Sequence, residues 1–174
     1  MLEGHLRTMK NRSYLLGLAL LLSLGAGAAG CSHKQNLPGT TVPDTPENRA
    51  ILDTIEKYRE RLMARNIEGL LVLASKEYFE DSGTPRADDD YGYDGLKQVL
   101  AGRLARLKNL RYQIRYHTVR MLTATRAEVD VYIDGSFEIG STEVGERYRR
   151  VNDNHRFVMA REKVESDWRF VSGM

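Results

Sequence analysis

The chain has 174 residues, 29% of them charged, with a formal net charge of +2 and a single cysteine. That length suits one domain of ordinary size, and one cysteine excludes an intrachain disulfide framework. Residues 1–30 hold three of the 26 basic side chains (Arg7, Lys10, Arg12) and one of the 24 acids (Glu3), so the remainder carries 23 of each. A neutral remainder withdraws the compositional case for a nucleic-acid partner.

The first element is apolar. After the basic stretch MLEGHLRTMKNR, residues Ser13 to Gly27 are rich in Leu, Gly and Ala and lead into Ala28-Ala29-Gly30-Cys31. A basic opening, a short apolar stretch and small residues before a cut describe a secretory signal peptide. A retained transmembrane anchor is the alternative. However, Tyr14 to Ala29 is shorter than the ~20 residues needed to cross a bilayer, and its second half is Gly and Ala. With cysteine directly after the small residues, the pattern resembles the lipobox of bacterial lipoproteins. The resemblance implies cleavage between Gly30 and Cys31, acylation of Cys31, and a mature chain held on a membrane by its lipids. Several acyl chains, at ~0.8 kcal/mol per buried methylene, suffice for stable anchoring. Ser32 follows, with no aspartate to act as an inner-membrane retention signal, which by analogy favours the outer membrane and a domain facing the periplasm.

Ser32 to Pro46 contains three of the four prolines and many small polar residues. It reads as a flexible tether with little to bury, so the expected organisation is 1–30 signal, 31–46 lipidated cysteine and tether, and 47–174 folded domain. Thr45 before Pro46 and Glu47 predicts a helix start. Ile51, Ile55, Tyr58 and Leu62 continue the helical period to about Arg65. A second helix is expected over Ile67–Tyr78. Glu80 to Tyr93 reads as a long polar loop with room for a short strand pair. Asp94 is expected to cap a third helix with Leu96, Val99, Leu100, Leu104 and Leu107 on its apolar face.

After Lys108 the period falls to two. Leu110, Tyr112, Ile114 and Tyr116 alternate with polar residues, then the apolar parity switches to Val119 and Met121, which predicts a bulge near His117-Thr118. Thr123 to Arg126 turns the chain, and Ala127, Val129, Val131 and Ile133 mark an antiparallel partner strand. Gly140 to Gly145 is expected to turn. Tyr148 to Val164 reads as a strand interrupted at Asn152-Asp153-Asn154. Glu165-Ser166-Asp167 reverses the chain into a closing strand, Trp168 to Ser172.

Three helices followed by long antiparallel strands is an α+β order. With the helix pair from Asn48 to Phe79, Tyr78-Phe79-Glu80, the helix from Asp94 and the ending Asp167-Trp168-Arg169-Phe170-Val171-Ser172-Gly173, the chain resembles the nuclear-transport-factor-2-like superfamily. This is the SnoaL-like, cone-shaped fold, and the resemblance covers most of residues 47–174. A cystatin-like sheet around one helix fits the three helices poorly. The resemblance implies a curved sheet wrapped around the helices, with a cavity that holds an acid, histidine or tyrosine in enzymatic members. Other members are binding or dimerisation modules, so the fold leaves function open.

Asp130 and Asp134 are candidate general bases, but they lie on the polar parity of their strand, where a solvated face is expected. His117 and His155 lack a local metal-ligand spacing, and Asp88-Asp89-Asp90 lacks the spaced acids and final glutamate of a calcium loop. Neither a serine-nucleophile turn nor a phosphate loop is present. Arg147, Arg149, Arg150, Arg156 and Arg161 are interspersed with acids, as on an ordinary charged strand face. Tyr58, Tyr78, Tyr112 and Tyr116, and Tyr132 beside them, are the candidate pocket residues, the alternative for each being plain core packing.

The expectation is a lipid-anchored envelope protein whose domain binds a small apolar ligand or an envelope protein. No cofactor, metal or nucleic acid is expected, and a homodimer stays open. An isomerase- or dehydratase-like enzyme using a cavity acid and a tyrosine is the alternative.

Overall fold

The computed structural model describes residues 35–139 and 147–174. The signal segment, Cys31 and the turn expected at Gly140–Gly145 lie outside the described residues. Three helices, α1 (Pro46–Met63), α2 (Ile67–Leu73) and α3 (Tyr93–Leu104), precede a four-stranded antiparallel sheet of β3 (Leu107–Thr123), β4 (Arg126–Ile139), β5 (Arg147–Ala160) and β6 (Arg169–Ser172), paired in that order. A two-residue pair, β1 (Phe79–Glu80) with β2 (Tyr91–Gly92), interrupts the helices.

The start of α1 follows its sequence signals: the Thr45 hydroxyl accepts from the Asn48 N–H at 3.1 Å, and Pro46 opens the first turn. Ile51, Leu52, Ile55 and Tyr58 fill the core from its inner face. Helix α2 is shorter than expected, because Ala74 is already extended and bridges Phe170. There the Ser75 N–H donates to the Phe170 carbonyl at 2.8 Å, so the chain leaving α2 docks on β6 instead of continuing to coil. The cap of α3 also differs. Gly92 is its N-cap, and Asp94 lies within the first turn, where its charge complements the helix dipole.

In the sheet, β3 (Leu107–Thr123) pairs with β4 (Arg126–Ile139) and carries the bulge expected between Tyr116 and Thr118. The bulge leaves His117 without a ladder partner, and the Thr41 hydroxyl donates to its carbonyl at 2.6 Å. A second irregularity, between Lys108 and Arg111, contains Asn109 at φ 49, a conformation that asparagine tolerates better than most residues. Bulges bend and twist the strand that carries them. Strand β5 (Arg147–Ala160) pairs with β4 along its whole length, without the interruption expected at Asn152-Asp153-Asn154. Those three residues are exposed and face Asp134, Ile133 and Tyr132, so continuous pairing costs them no burial. Strand β6 (Arg169–Ser172) closes the sheet.

Ala127, Val129, Val131, Ile133, Phe157, Met159 and Phe170 line the inner face beneath the helices. The segment expected to be a tether is partly structural. Val42 is fully buried and Leu37 packs against the same core, while Asn36 bridges Pro43. Proline and polar content do not reveal that one valine meets a core built elsewhere.

Candidate functional site

The four candidate tyrosines divide among three clusters. Tyr58, from the inner face of α1, is buried. Its ring meets Tyr112 edge-on at 6.2 Å and Phe157 at 5.7 Å, and tilts against Phe170 at 5.2 Å. The Tyr58 and Tyr112 phenols lie near enough for each to act on the other's pKa. Tyr116 turns the other way, donating to Glu56 Oε1 at 2.6 Å, while Glu56 Oε2 accepts from Arg59 Nε at 2.6 Å. Tyr132 is on the opposite face, where the Arg115 guanidinium lies 5.5 Å from its ring centroid.

The third cluster holds the end of the chain. Tyr78 is buried just after α2 and donates to Glu80 Oε2 at 3.1 Å; its hydroxyl oxygen accepts from the Met174 N–H at 3.1 Å. The same Glu80 oxygen accepts from the Gly173 N–H at 2.8 Å. His155 Nε2 lies 2.7 Å from the Gly173 carbonyl. Gly173 has φ +91, and a Cβ there would fall 2.5 Å from the Arg156 carbonyl oxygen, so only glycine fits. Tyr91 stacks on Tyr78 at 6.3 Å and lies beneath the Arg103 guanidinium; its hydroxyl is buried with no hydrogen-bond partner among the described residues.

Burial raises the phenol pKa of Tyr58, Tyr78, Tyr112 and Tyr116 above the ordinary 10.0, with Tyr112 pushed up to about 12. Next to burial, the Tyr112 neighbourhood adds to the rise at Tyr58, the Glu80 carboxylate at Tyr78, and the Glu56 carboxylate at Tyr116. All four are neutral at physiological pH. A pKa raised by folding means that the unfolded chain releases its proton first as pH climbs. The tyrosines therefore make no pH-dependent contribution below pH 10. Stability is expected to fall steeply from pH 10 to 12 and above, and chemical-denaturation midpoints across that range measure it.

The other candidates lie outside the core. Asp130 accepts from Arg156 Nε at 2.6 Å and from Thr118, and these partners lower its pKa, the arginine first. Asp134 pairs with Arg150 at 3.0 Å. Both aspartates belong to the expected charged outer face, together with Glu128, which Arg120 and Arg156 approach. Arg161 lies 4.6 Å over the Trp168 ring and donates to the Ala124 carbonyl. His117 is exposed. Asp88 pairs with Arg86 in an exposed loop where Asp89 accepts from Thr84. Among the described residues no group of three or more His, Cys, Asp or Glu side chains is placed to hold a metal ion.

The polar and charged residues buried in the described part are Asn48 and Thr54, whose side chains serve the backbone carbonyls of Pro43 and Ala50. No described Asp, Glu, His, Lys or Arg is buried. Tyr58, Tyr112 and Tyr116 are not among the residues that line the surface cavities of about 410 to 620 Å³ formed by the described residues. Glu56, Glu80, Tyr91 and Gly173 carry no local sequence signal of their roles, since each partner comes from a distant part of the chain.

Three helices on a bulged antiparallel sheet, with an aromatic-packed interior, define the cone-shaped α+β fold of nuclear-transport-factor-2-like and SnoaL-like domains. The chain matches no family model and no curated protein. Among solved structures it is similar to a candidate aromatic ring hydroxylase from Novosphingobium aromaticivorans, at 19% identity and TM-score 0.59, over 74% of this chain and 87% of that one. A candidate scytalone dehydratase from the same organism aligns at 17% identity and TM-score 0.59, over 71% and 78%. A ketosteroid isomerase-like protein from Erwinia carotovora atroseptica aligns at 16% identity and TM-score 0.58, over 74% and 93%. At these identities the shared property is the fold. No described helix is long and apolar enough to cross a membrane.

Proposed function

We propose that this chain is a lipid-anchored envelope protein whose cone-shaped domain binds a ligand or partner without catalysing a reaction. The observation that carries the non-catalytic reading is that no described Asp, Glu, His, Lys or Arg residue is buried in the interior, where the buried titratable groups are the phenols of Tyr58 and Tyr78. General acid–base work near neutral pH draws on such a residue inside the site, within reach of a second polar atom. The acids paired with tyrosines are otherwise engaged. Glu80 holds the chain end, and Glu56 joins α1 to β3 through Tyr116. Cys31 as the acylated residue, with Ser32 beside it, makes the outer membrane the proposed location. Density-gradient fractionation is expected to recover the chain with outer-membrane markers.

One observation favours an isomerase- or dehydratase-like enzyme: Tyr78 and Glu80 form an acid–phenol pair of the type such chemistry uses. Glu80→Gln separates the readings without a known substrate. A structural Glu80 accepts two hydrogen bonds, and losing its charge is expected to cost about 1.5–3 kcal/mol and lower Tm. A raised Tm would mark a carboxylate kept for chemistry against stability, and would overturn the binding reading.

A further inference from the structure

One cavity differs from the others in the chemistry of its walls. An open groove of about 610 Å³ runs between the outer flank of α3 and the end of β4. Its floor is apolar, from Val99, Leu107, Phe137 and Ile139, and its cationic side comes from Arg103 in the last turn of α3 and Arg106 just beyond the helix. No acid lines it. Arg103 meets only aromatic partners, with the Tyr91 ring 5.8 Å from its guanidinium, and Arg106 has no ion pair or hydrogen bond among the described residues. By contrast, Arg49, Arg59, Arg86, Arg120, Arg150 and Arg156 are all paired with carboxylates.

The sheet register extends this surface. Phe137 is opposite Arg149, and Gly135 is opposite Val151, so both β5 residues share the face of Phe137. Arg149 and Val151 are exposed there. Among the described residues the nearest acid on that face in the register is Asp153, opposite Ile133, beyond the Gly135–Val151 pair. An apolar floor bordered by unpaired guanidinium groups complements one chemistry: an apolar chain ending in an anion that can take a bidentate arginine contact. The volume falls in the range of small-molecule sites.

We infer that this groove binds a single-chain amphiphile with one anionic head, its tail on Val99, Leu107, Phe137 and Ile139 and its head held by Arg103 and Arg106. The inference rests on the binding reading above and names the ligand class and the place. The tyrosine cluster around Tyr58 and Tyr112 has no part in it.

Gly102 supplies the test. It lines the groove, its φ is not in the left-handed region, and a Cβ built on it meets no atom within 4 Å. Gly102→Trp would fill the groove from a helix that accepts the substitution. Gly102→Ala leaves room and favours the helix. The full chain, in nanodiscs of zwitterionic lipid, is exposed to photoactivatable dodecanoate or its methyl ester, and labelled peptides are mapped by mass spectrometry.

The acid is expected to label the segments bearing Val99–Leu107 and Phe137–Ile139, and the ester far less. Labelling should fall about tenfold or more in Arg103→Gln/Arg106→Gln, which loses both charge-assisted contacts, and in Gly102→Trp, while Gly102→Ala retains it. Equal labelling by the ester, or indifference to the arginine pair, overturns the inference. So does loss of association with anionic vesicles without loss of dodecanoate labelling, which would make the surface a reader of bilayer headgroups. Labels around Tyr58 and Tyr112 instead would sink the groove while leaving the binding reading intact. Should Gly102→Trp unfold, the response of labelling to the arginine pair alone decides between these outcomes.

Discussion

Cys31→Ala is expected to abolish palmitate labelling and leave a longer chain that still carries its first thirty residues. The expectation is all-or-none because the chain has one cysteine, so no second thiol can form a thioether. In the proposed lipoprotein, cleavage before the cysteine and retention on the membrane would both depend on that modification. A single acyl chain binds membranes only marginally, whereas several anchor stably, so the variant should also leave the outer-membrane fraction. Equal labelling of the variant and the parent chain would refute the anchor, and with it the envelope assignment.

The largest effect on folding is expected at Phe157. Its ring is fully buried and touches Tyr58 at 5.7 Å, Phe170 at 5.3 Å and His155 at 4.8 Å. It therefore joins α1 to β5 and β6 at the centre of the cone. Phe157→Ala removes that aromatic area and leaves a cavity that the sheet backbone cannot close, at a cost of about 3–5 kcal/mol. A domain of this size has a total stability of about 5–15 kcal/mol, so the variant should melt far below the parent or fail to fold. Tyr58→Phe is the graded control. It keeps the ring and its aromatic contacts, removes only the hydroxyl and should cost about 1 kcal/mol. Urea midpoints for the two variants give the comparison. A Phe157→Ala loss no larger than that of Tyr58→Phe would mean that the interior is not packed as described.

The filled interior also bears on the fold's relatives. A cone can hold a substrate only where its inner residues leave space and present a reactive group. Here Tyr58, Tyr112, Phe157 and Phe170 pack ring against ring. The proposed ligand surface accordingly lies on the flank of α3, where Val99 and Phe137 are only half-buried.

Local signals are enough for much of this architecture. Thr45-Pro46 and the spacing of Ile51, Ile55 and Tyr58 specify α1, because capping and amphipathicity act within one or two turns. Strict alternation through Ala127–Ile133 specifies β4, and the parity switch after Tyr116 locates the bulge, since the two faces of a strand alternate without exception. The placing of Asp130 and Asp134 on the solvated face follows from the same alternation. Other features depend on partners far away in the chain. Val42 is buried because a core made by later residues receives it, α2 stops early because Phe170 offers the chain a bridge, and Asn152–Asn154 stay in β5 because β4 continues beside them. The engagement of Glu56 by Tyr116 and of Glu80 by Gly173, and the meeting of Arg103 and Arg106 with Phe137 and Ile139, likewise join segments well separated in sequence. Periodicity reports which side of an element is apolar; which other element covers that side, and which charges are left unpaired beside it, is set only when the chain closes on itself.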